Sequence, residues 1–181
     1  MKKVILDLAV TLDGFIEGPN GEIDWCIMDD DMDFDGFLAN IDTIFYGRTS
    51  YDAWGNYQPE TKASAIEQKL WEDVHSKNKF VFSSQERQDP NATFISSDIA
   101  KKVAEIKQQS GKDIWLYGGA GLIKSFIRLK LIDTYRISVH PVALGSGKPL
   151  FEYLEERVQL KLIKTNTFRS GVVQLIYEPA Q

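Results

Sequence analysis

The sequence predicts an α/β protein with a mostly parallel sheet and an antiparallel edge. Three observations predict it. Short apolar strand patterns alternate with amphipathic helical stretches through most of the chain, the order that gives parallel pairing through crossover helices. The last two strand patterns are long and are joined at Arg169-Ser170-Gly171, a hairpin signal. Polar or glycine-rich turns follow several strands, where a parallel sheet places its ligand crevice.

The elements follow in order. Val4, Leu6, Leu8 and Val10 alternate and read as a first strand. Leu12-Asp13-Gly14 and Gly18-Pro19-Asn20-Gly21 mark a turn-rich segment without a regular period, which reads as a mobile loop holding Trp25. Phe34, Phe37, Leu38 and Ile41 have helical spacing. Thr43–Tyr46 is a strand ended by Gly47, and Arg48–Trp54 a short helix. Ile66, Leu70 and Val74 form a helical stripe, Phe80–Phe82 a strand ending at Ser83-Ser84, and Ala92–Ile95 another strand. Ser97 is the expected cap of a helix with the stripe Ile99, Val103 and Ile106, stopped at Gly111. Ile114–Tyr117 is a strand that runs into Gly118-Gly119-Ala120-Gly121, and Leu122, Ile123, Phe126 and Ile127 stripe the helix behind it. Tyr135, Ile137 and Val139 alternate with polar residues. Leu160–Phe168 and Val172–Tyr177 close the chain. No repeat, low-complexity tract or linker divides residues 1–181, so one domain is expected.

Composition narrows the function. The chain is 43% hydrophobic and 26% charged, ordinary for a globular protein. No apolar run spans a bilayer, and Asp7 interrupts the apolar start, so neither a membrane segment nor a signal peptide is expected. A net charge of −5 without a basic stripe argues against nucleic-acid binding. A single cysteine, Cys26, excludes an internal disulfide and a cysteine zinc cluster, and fits a cytoplasmic setting. His75 and His140 have no partners at metal spacing, so no metal is expected.

Three turns carry the chemistry. A glycine turn between a strand and a helix lets a ligand lie against the backbone, and the helix start attracts an anion. Gly118–Gly121 has that form. Gly47, Arg48 and Thr49 follow another strand and offer close approach, a guanidinium fork and a hydroxyl, although a surface arginine capping a turn gives the same pattern. Ser83 and Ser84 follow a third strand and read equally as plain turn residues. On one sheet edge the three turns converge, and an arginine with two serines suits a ribose 2′-phosphate, hence NADPH over NADH. Trp25, Tyr51 and Trp54 offer walls for an aromatic substrate or belong to the core. Gly145-Ser146-Gly147 offers an anion nest for a substrate phosphate or is a tight turn.

The motifs Leu12–Ile16, Gly18–Gly21 with Asp24-Trp25, Phe45–Tyr51, Tyr117–Gly121 and Pro141–Phe151 span nearly the whole chain. Together they resemble the dihydrofolate reductase superfamily, and more closely the reductase domain of the bacterial bifunctional riboflavin deaminase-reductase. That resemblance implies a three-layer α/β/α fold with about eight strands and a homodimer. It implies hydride transfer from NADPH to a C=N or C=O carbon of a heterocyclic or sugar-phosphate substrate, as in 5-amino-6-(5-phosphoribosylamino)uracil reduction. It places Gly47, Arg48 and Thr49 on the NADPH phosphates, Ser83 and Ser84 at the 2′-phosphate, and Gly118, Gly119, Ala120, Gly121 and Leu122 along the pyrophosphate and nicotinamide. Asp13–Met28 resembles a lid over the nicotinamide. A proton-donating carboxylate falls on Asp30 or Asp31, with Asp31 preferred. One cysteine cannot build the zinc deaminase of the bifunctional enzyme. Two rival functions stand beside this one: a dihydrofolate reductase and a non-catalytic NADPH-binding protein.

Overall fold

Alternation of apolar residues drives the central strand, β1 (Val4–Thr11), and its even-numbered side chains Val4, Leu6 and Val10 are buried. A computed structural model describes residues 1–55, 57 and 65–180; the side chains of Asp30, Ala65, Ile66 and Glu67 lie outside the described set. The other principal strands are β3 (Ile41–Gly47), β4 (Asn78–Phe82), β5 (Thr93–Ile95), β6 (Asp113–Gly118), β7 (Thr134–His140), β9 (Leu160–Thr167) and β10 (Val173–Pro179). They form one sheet in the order β5-β4-β3-β6-β1-β7-β10-β9. The first six are parallel neighbours, and the β9–β10 hairpin adds to β7 antiparallel.

The helices are α1 (Phe34–Ala39), α2 (Arg48–Ser50), α3 (Ala65–Ser76), α4 (Ile99–Lys107) and α5 (Ala120–Arg128). On one face of the sheet, Leu6, Phe45, Leu116 and Tyr135 pack with Val103 and Ile106 of α4 and Ile123 and Phe126 of α5. On the other, Ile44, Tyr46 and Trp115 pack with Phe37 and Leu38 of α1 and Val74 of α3. The result is the three-layer α/β fold. Successive residues of a strand serve opposite layers, as the side-chain period of two requires.

Several local expectations change. Ile41 opens β3 instead of continuing α1, which ends at Ala39. The Arg48–Trp54 helix is one α turn followed by a π turn over Tyr51–Gly55. The residue preceding α4 is Asp98, at φ +51, and not Ser97. The turn-rich segment after β1 contains β2 (Phe15–Glu17), which pairs with β8 (Lys148–Pro149).

Candidate active site

The three turns singled out above meet at the carboxyl ends of β3, β4 and β6. Gly118 has φ +110, a conformation that favours glycine, and a cis peptide joins it to Gly119. Gly47 lies so close that a Cβ on it would stand 3.4 Å from the Gly119 nitrogen. One ligand can therefore touch both turns. A side chain at Gly121 would meet open space, and α5 starts there with its first N–H groups unused by the helix.

A cavity of about 510 Å³ opens on these turns. Gly47, Arg48, Thr49, Ser83, Ser84, Gly119, Ala120, Gly121 and Leu122 all line it, joined by Ser50, Ser96, Ser125 and Lys148. Leu122 contributes packing only, because its side chain is buried in the core and its N–H already bonds the Gly119 carbonyl at 2.9 Å. The Arg48 guanidinium is half exposed and held loosely by Asp52 at 3.3 Å. These donors, hydroxyls and glycines fit a phosphorylated dinucleotide such as NADPH.

A second cavity, of about 560 Å³, adjoins the first and shares Glu17, Thr49, Ser50 and Gly119 with it. It opens where β1 leaves β6. The β1–β6 ladder stops at Leu6–Leu116, whereas β1 stays paired with β7 to Thr11–His140. The freed Asp7 carbonyl accepts from the Trp115 indole at 3.1 Å. Trp54, Trp115, Tyr117 and Phe34 give the cleft aromatic walls. Its loop wall comes from Ile16, Glu17, Ile23, Cys26 and Met28, inside the segment expected to act as a lid. Burial pushes the Cys26 thiol up to about 11, so it is no thiolate nucleophile near neutrality.

The cleft floor is polar, and sequence reasoning missed it. Asp7 and Arg136 sit opposite each other on β1 and β7, with Oδ1 and Nε 3.4 Å apart. Burial raises the Asp7 carboxyl to about 6 against the pull of the Arg136 guanidinium. Arg136 also lies 4.6 Å from the Phe37 ring centroid. Beside them Gln174 donates to the Ser138 hydroxyl oxygen at 3.2 Å, and Asn166 donates to Gln174 at 3.1 Å. The available signals were Asp7 inside an apolar strand and the polar half of the alternation around Tyr135, Ile137 and Val139.

Other expected site residues lie elsewhere. Asp31 does not reach the cleft; its carboxylate accepts from the Arg169 side chain at 3.3 Å, on the far hairpin. Trp25 does not line the cleft but packs edge-on against His140, whose ring nitrogens lie 3.0 and 3.3 Å from the Ser138 and Ile27 carbonyl oxygens. Tyr51 is core, and its hydroxyl donates to Asp89 at 3.1 Å. Trp54 alone of the three expected aromatic residues lines the cleft. The 145–147 turn is no open nest. Its Leu144 and Gly145 N–H groups donate to Asp13 at 3.2 and 2.7 Å, and Gly147 is packed against the Glu17 carbonyl. No cluster able to hold a metal occurs among the described residues, and no described helix is long and apolar enough to cross a membrane.

Fold and cleft together define an α/β protein of dihydrofolate reductase-like architecture. The model of the RibD C-terminal domain matches residues 2–174, and the chain belongs to that family. An uncharacterized Bacillus subtilis protein, YyaP, is 57% identical, covering 97% of this chain and 94% of its own. A putative riboflavin biosynthesis protein from Shewanella has the same fold at 22% identity, with a TM-score of 0.78 and full coverage of both chains. So does the deaminase/5-amino-6-(5-phosphoribosylamino)uracil reductase of Thermotoga maritima, at 14% identity and 0.69. There the match covers 99% of this chain and 57% of that longer one. An Enterococcus faecalis dihydrofolate reductase complexed with NADP(H) matches at 13% identity and 0.68, over 99% and 97%.

Proposed function

We propose that the protein is an NADPH-dependent reductase that delivers hydride to a C=N or C=O carbon of a small heterocyclic substrate. The observation that carries this reading is the junction of the two cavities at Thr49, Ser50 and Gly119. One cavity has the donors for phosphates; the other has the aromatic walls and polar floor for a reactant. NADPH would supply the hydride. Family membership and the reductase and NADP(H)-bound folds that the chain resembles support the assignment.

The protein's part is positioning and solvent exclusion. Arg48, Ser83 and Ser84 would hold the 2′-phosphate end, and Gly119–Gly121 with the start of α5 would hold the pyrophosphate. The loop wall from Ile16 to Met28 would keep water off the reacting carbon. Asp7 is the carboxyl placed to hold a proton beside the reactant, the role expected of Asp31. The dihydrofolate reading looked to Asp31 for that group, and nothing in its geometry favours it. A reducing cytoplasmic setting and pairing of two copies belong to the same proposal.

Calorimetric titration with NADPH and with NADH tests it. Tighter binding of NADPH is the expected result. Absence of NADPH binding at millimolar concentration would sink the proposal.

A further inference from the structure

We infer that Arg87, outside the cofactor cavity, is a positioning residue for it: by holding Asp52 it keeps the Arg48 guanidinium available to a 2′-phosphate, and so sharpens the preference for NADPH over NADH. The inference rests on the cofactor reading proposed above.

Asp52 is shared between two guanidinium groups. Its Oδ2 takes Arg48 Nη1 at 3.3 Å, and its Oδ1 takes Arg87 Nη1 at 2.6 Å. The two contacts are unequal for a geometric reason. Arg48 and Asp52 lie one turn apart, on α2 and the π turn behind it, with the cation first. That is the poorer order for a pair on one helix. Arg87 comes from a different part of the chain, the loop between β4 and β5, and meets Asp52 at the length of a strong charge-assisted bond. Arg48 lines the cofactor cavity, whereas Arg87 is not among the described residues that do.

Arg87 is itself fixed from behind. Its Nη2 donates to Asp89 Oδ2 at 2.9 Å, and the Asp89 side chain is 6% exposed. Asp89 Oδ1 also accepts from the hydroxyl of the buried Tyr51 at 3.1 Å and from the Asn91 N–H at 2.9 Å. The Arg87 guanidinium carbon lies 5.8 and 5.3 Å from the Tyr51 and Phe94 ring centroids. Contacts therefore run from the core through Asp89 and Arg87 to Asp52 and Arg48. Ser83 and Ser84, which line the cavity, belong to the same loop as Arg87.

Charge decides what this chain of contacts does. With Arg87 present, two guanidinium groups balance the carboxylates of Asp52 and Asp89. Arg48 then gives up a long contact when it turns to a phosphate that brings roughly −1.5 to −2 charges. Without Arg87 the cluster is net negative, and Asp52 directs its whole charge at Arg48. An incoming phosphate must then displace that carboxylate and approach its repulsion. NADH carries no 2′-phosphate, so the state of Arg48 matters little to it.

The test is calorimetric titration of NADPH and NADH into wild type, Arg87→Ala, Asp52→Asn and the double variant, at low and high salt. At low salt Arg87→Ala should weaken NADPH roughly 3- to 5-fold and leave NADH nearly unchanged, and high salt should shrink the difference. Asp52→Asn should bind NADPH at least as tightly as wild type, and adding it to Arg87→Ala should restore the lost affinity. A loop that had merely lost packing would weaken both cofactors and would not be rescued. Equal loss for both cofactors, no loss of NADPH affinity, or no rescue overturns the inference. Should Arg87→Ala fail to fold, weaker NADPH binding by Asp52→Asn alone overturns it, and equal or tighter binding upholds it. A cofactor-free arm follows modification of Arg48 by phenylglyoxal, read by peptide mass spectrometry. Arg48 should react more slowly in Arg87→Ala and recover its rate in the double variant; an unchanged or faster rate overturns the inference. Absence of NADPH binding by wild type would remove the proposed function, and the modification arm would still decide whether Arg87 governs Arg48.

Discussion

Asp7 and Arg136 form a cross-strand ion pair in the middle of the sheet, 3.4 Å apart, with side chains 10% and 15% exposed. Such a pair costs desolvation that its attraction barely offsets, and removing one partner strands the other. The pair sits on adjoining central strands and lines the cleft, with the Arg136 guanidinium also over the Phe37 ring of α1.

The first prediction concerns pH and stability. Folding raises the Asp7 carboxyl from an ordinary value near 3.8 to about 6, so the folded state binds the proton more tightly than the unfolded one. This contribution to stability is fully present below pH 4 and is lost as pH climbs through 6, by ~3 kcal/mol. Denaturant unfolding of wild type and Asp7→Asn across that window measures it. The wild type should lose stability relative to the variant as pH rises, and a constant difference would refute it.

Arg48 should discriminate between cofactors. Under the proposed function, Arg48→Ala should weaken NADPH roughly 10- to 100-fold and NADH far less, because the guanidinium would pair with the 2′-phosphate. Its pair with Asp52 is exposed, so the variant should unfold at nearly the wild-type temperature. Equal loss for both cofactors would move Arg48 away from the 2′-phosphate.

Asp13 is expected to be a clamp for the loop rather than a substrate ligand. Its carboxylate accepts from Thr11 at 2.6 Å and from the Leu144 and Gly145 N–H groups, and these bonds hold its pKa below the usual carboxylate value. Asp13→Ala should speed amide exchange at Leu144 and Gly145 and through β2 and β8. Unchanged exchange there would argue against the clamp.

Phe126 tests the core beneath the site. It is fully buried and meets Phe45 and Phe82 edge-on, with centroids 5.8 and 5.3 Å away. Phe126→Ala should cost about 3–5 kcal/mol in denaturant unfolding. A loss below ~1 kcal/mol would mean the core collapses around the gap.

The sheet was legible because apolar alternation and helical stripes are set by burial on both of its faces. The convergence of the three turns was legible because they end β3, β4 and β6, and parallel neighbouring strands bring their ends together. The cleft floor was not. Arg136 and Ser138 look like the solvent half of an alternating strand, and only the strand order shows that β7 is central, between β1 and β10. Asp31 was misplaced for the opposite reason: counting along the chain cannot show that Arg169, 138 residues away, takes its carboxylate. The 145–147 turn has the form of a nest, but the Gly145 N–H and that of Leu144 before it are taken by Asp13, 132 and 131 residues earlier in the chain.

The central claim is that one NADPH molecule reaches from the Arg48 cavity to the aromatic cleft. Energy transfer from tryptophan to bound reduced nicotinamide tests it most directly, since Trp54 and Trp115 line the cleft. Titrating NADPH should produce saturable quenching of tryptophan emission with matching nicotinamide emission, displaced by NADP⁺ and weakened in Arg48→Ala. Binding without energy transfer, or transfer unaffected by Arg48→Ala, would contradict it.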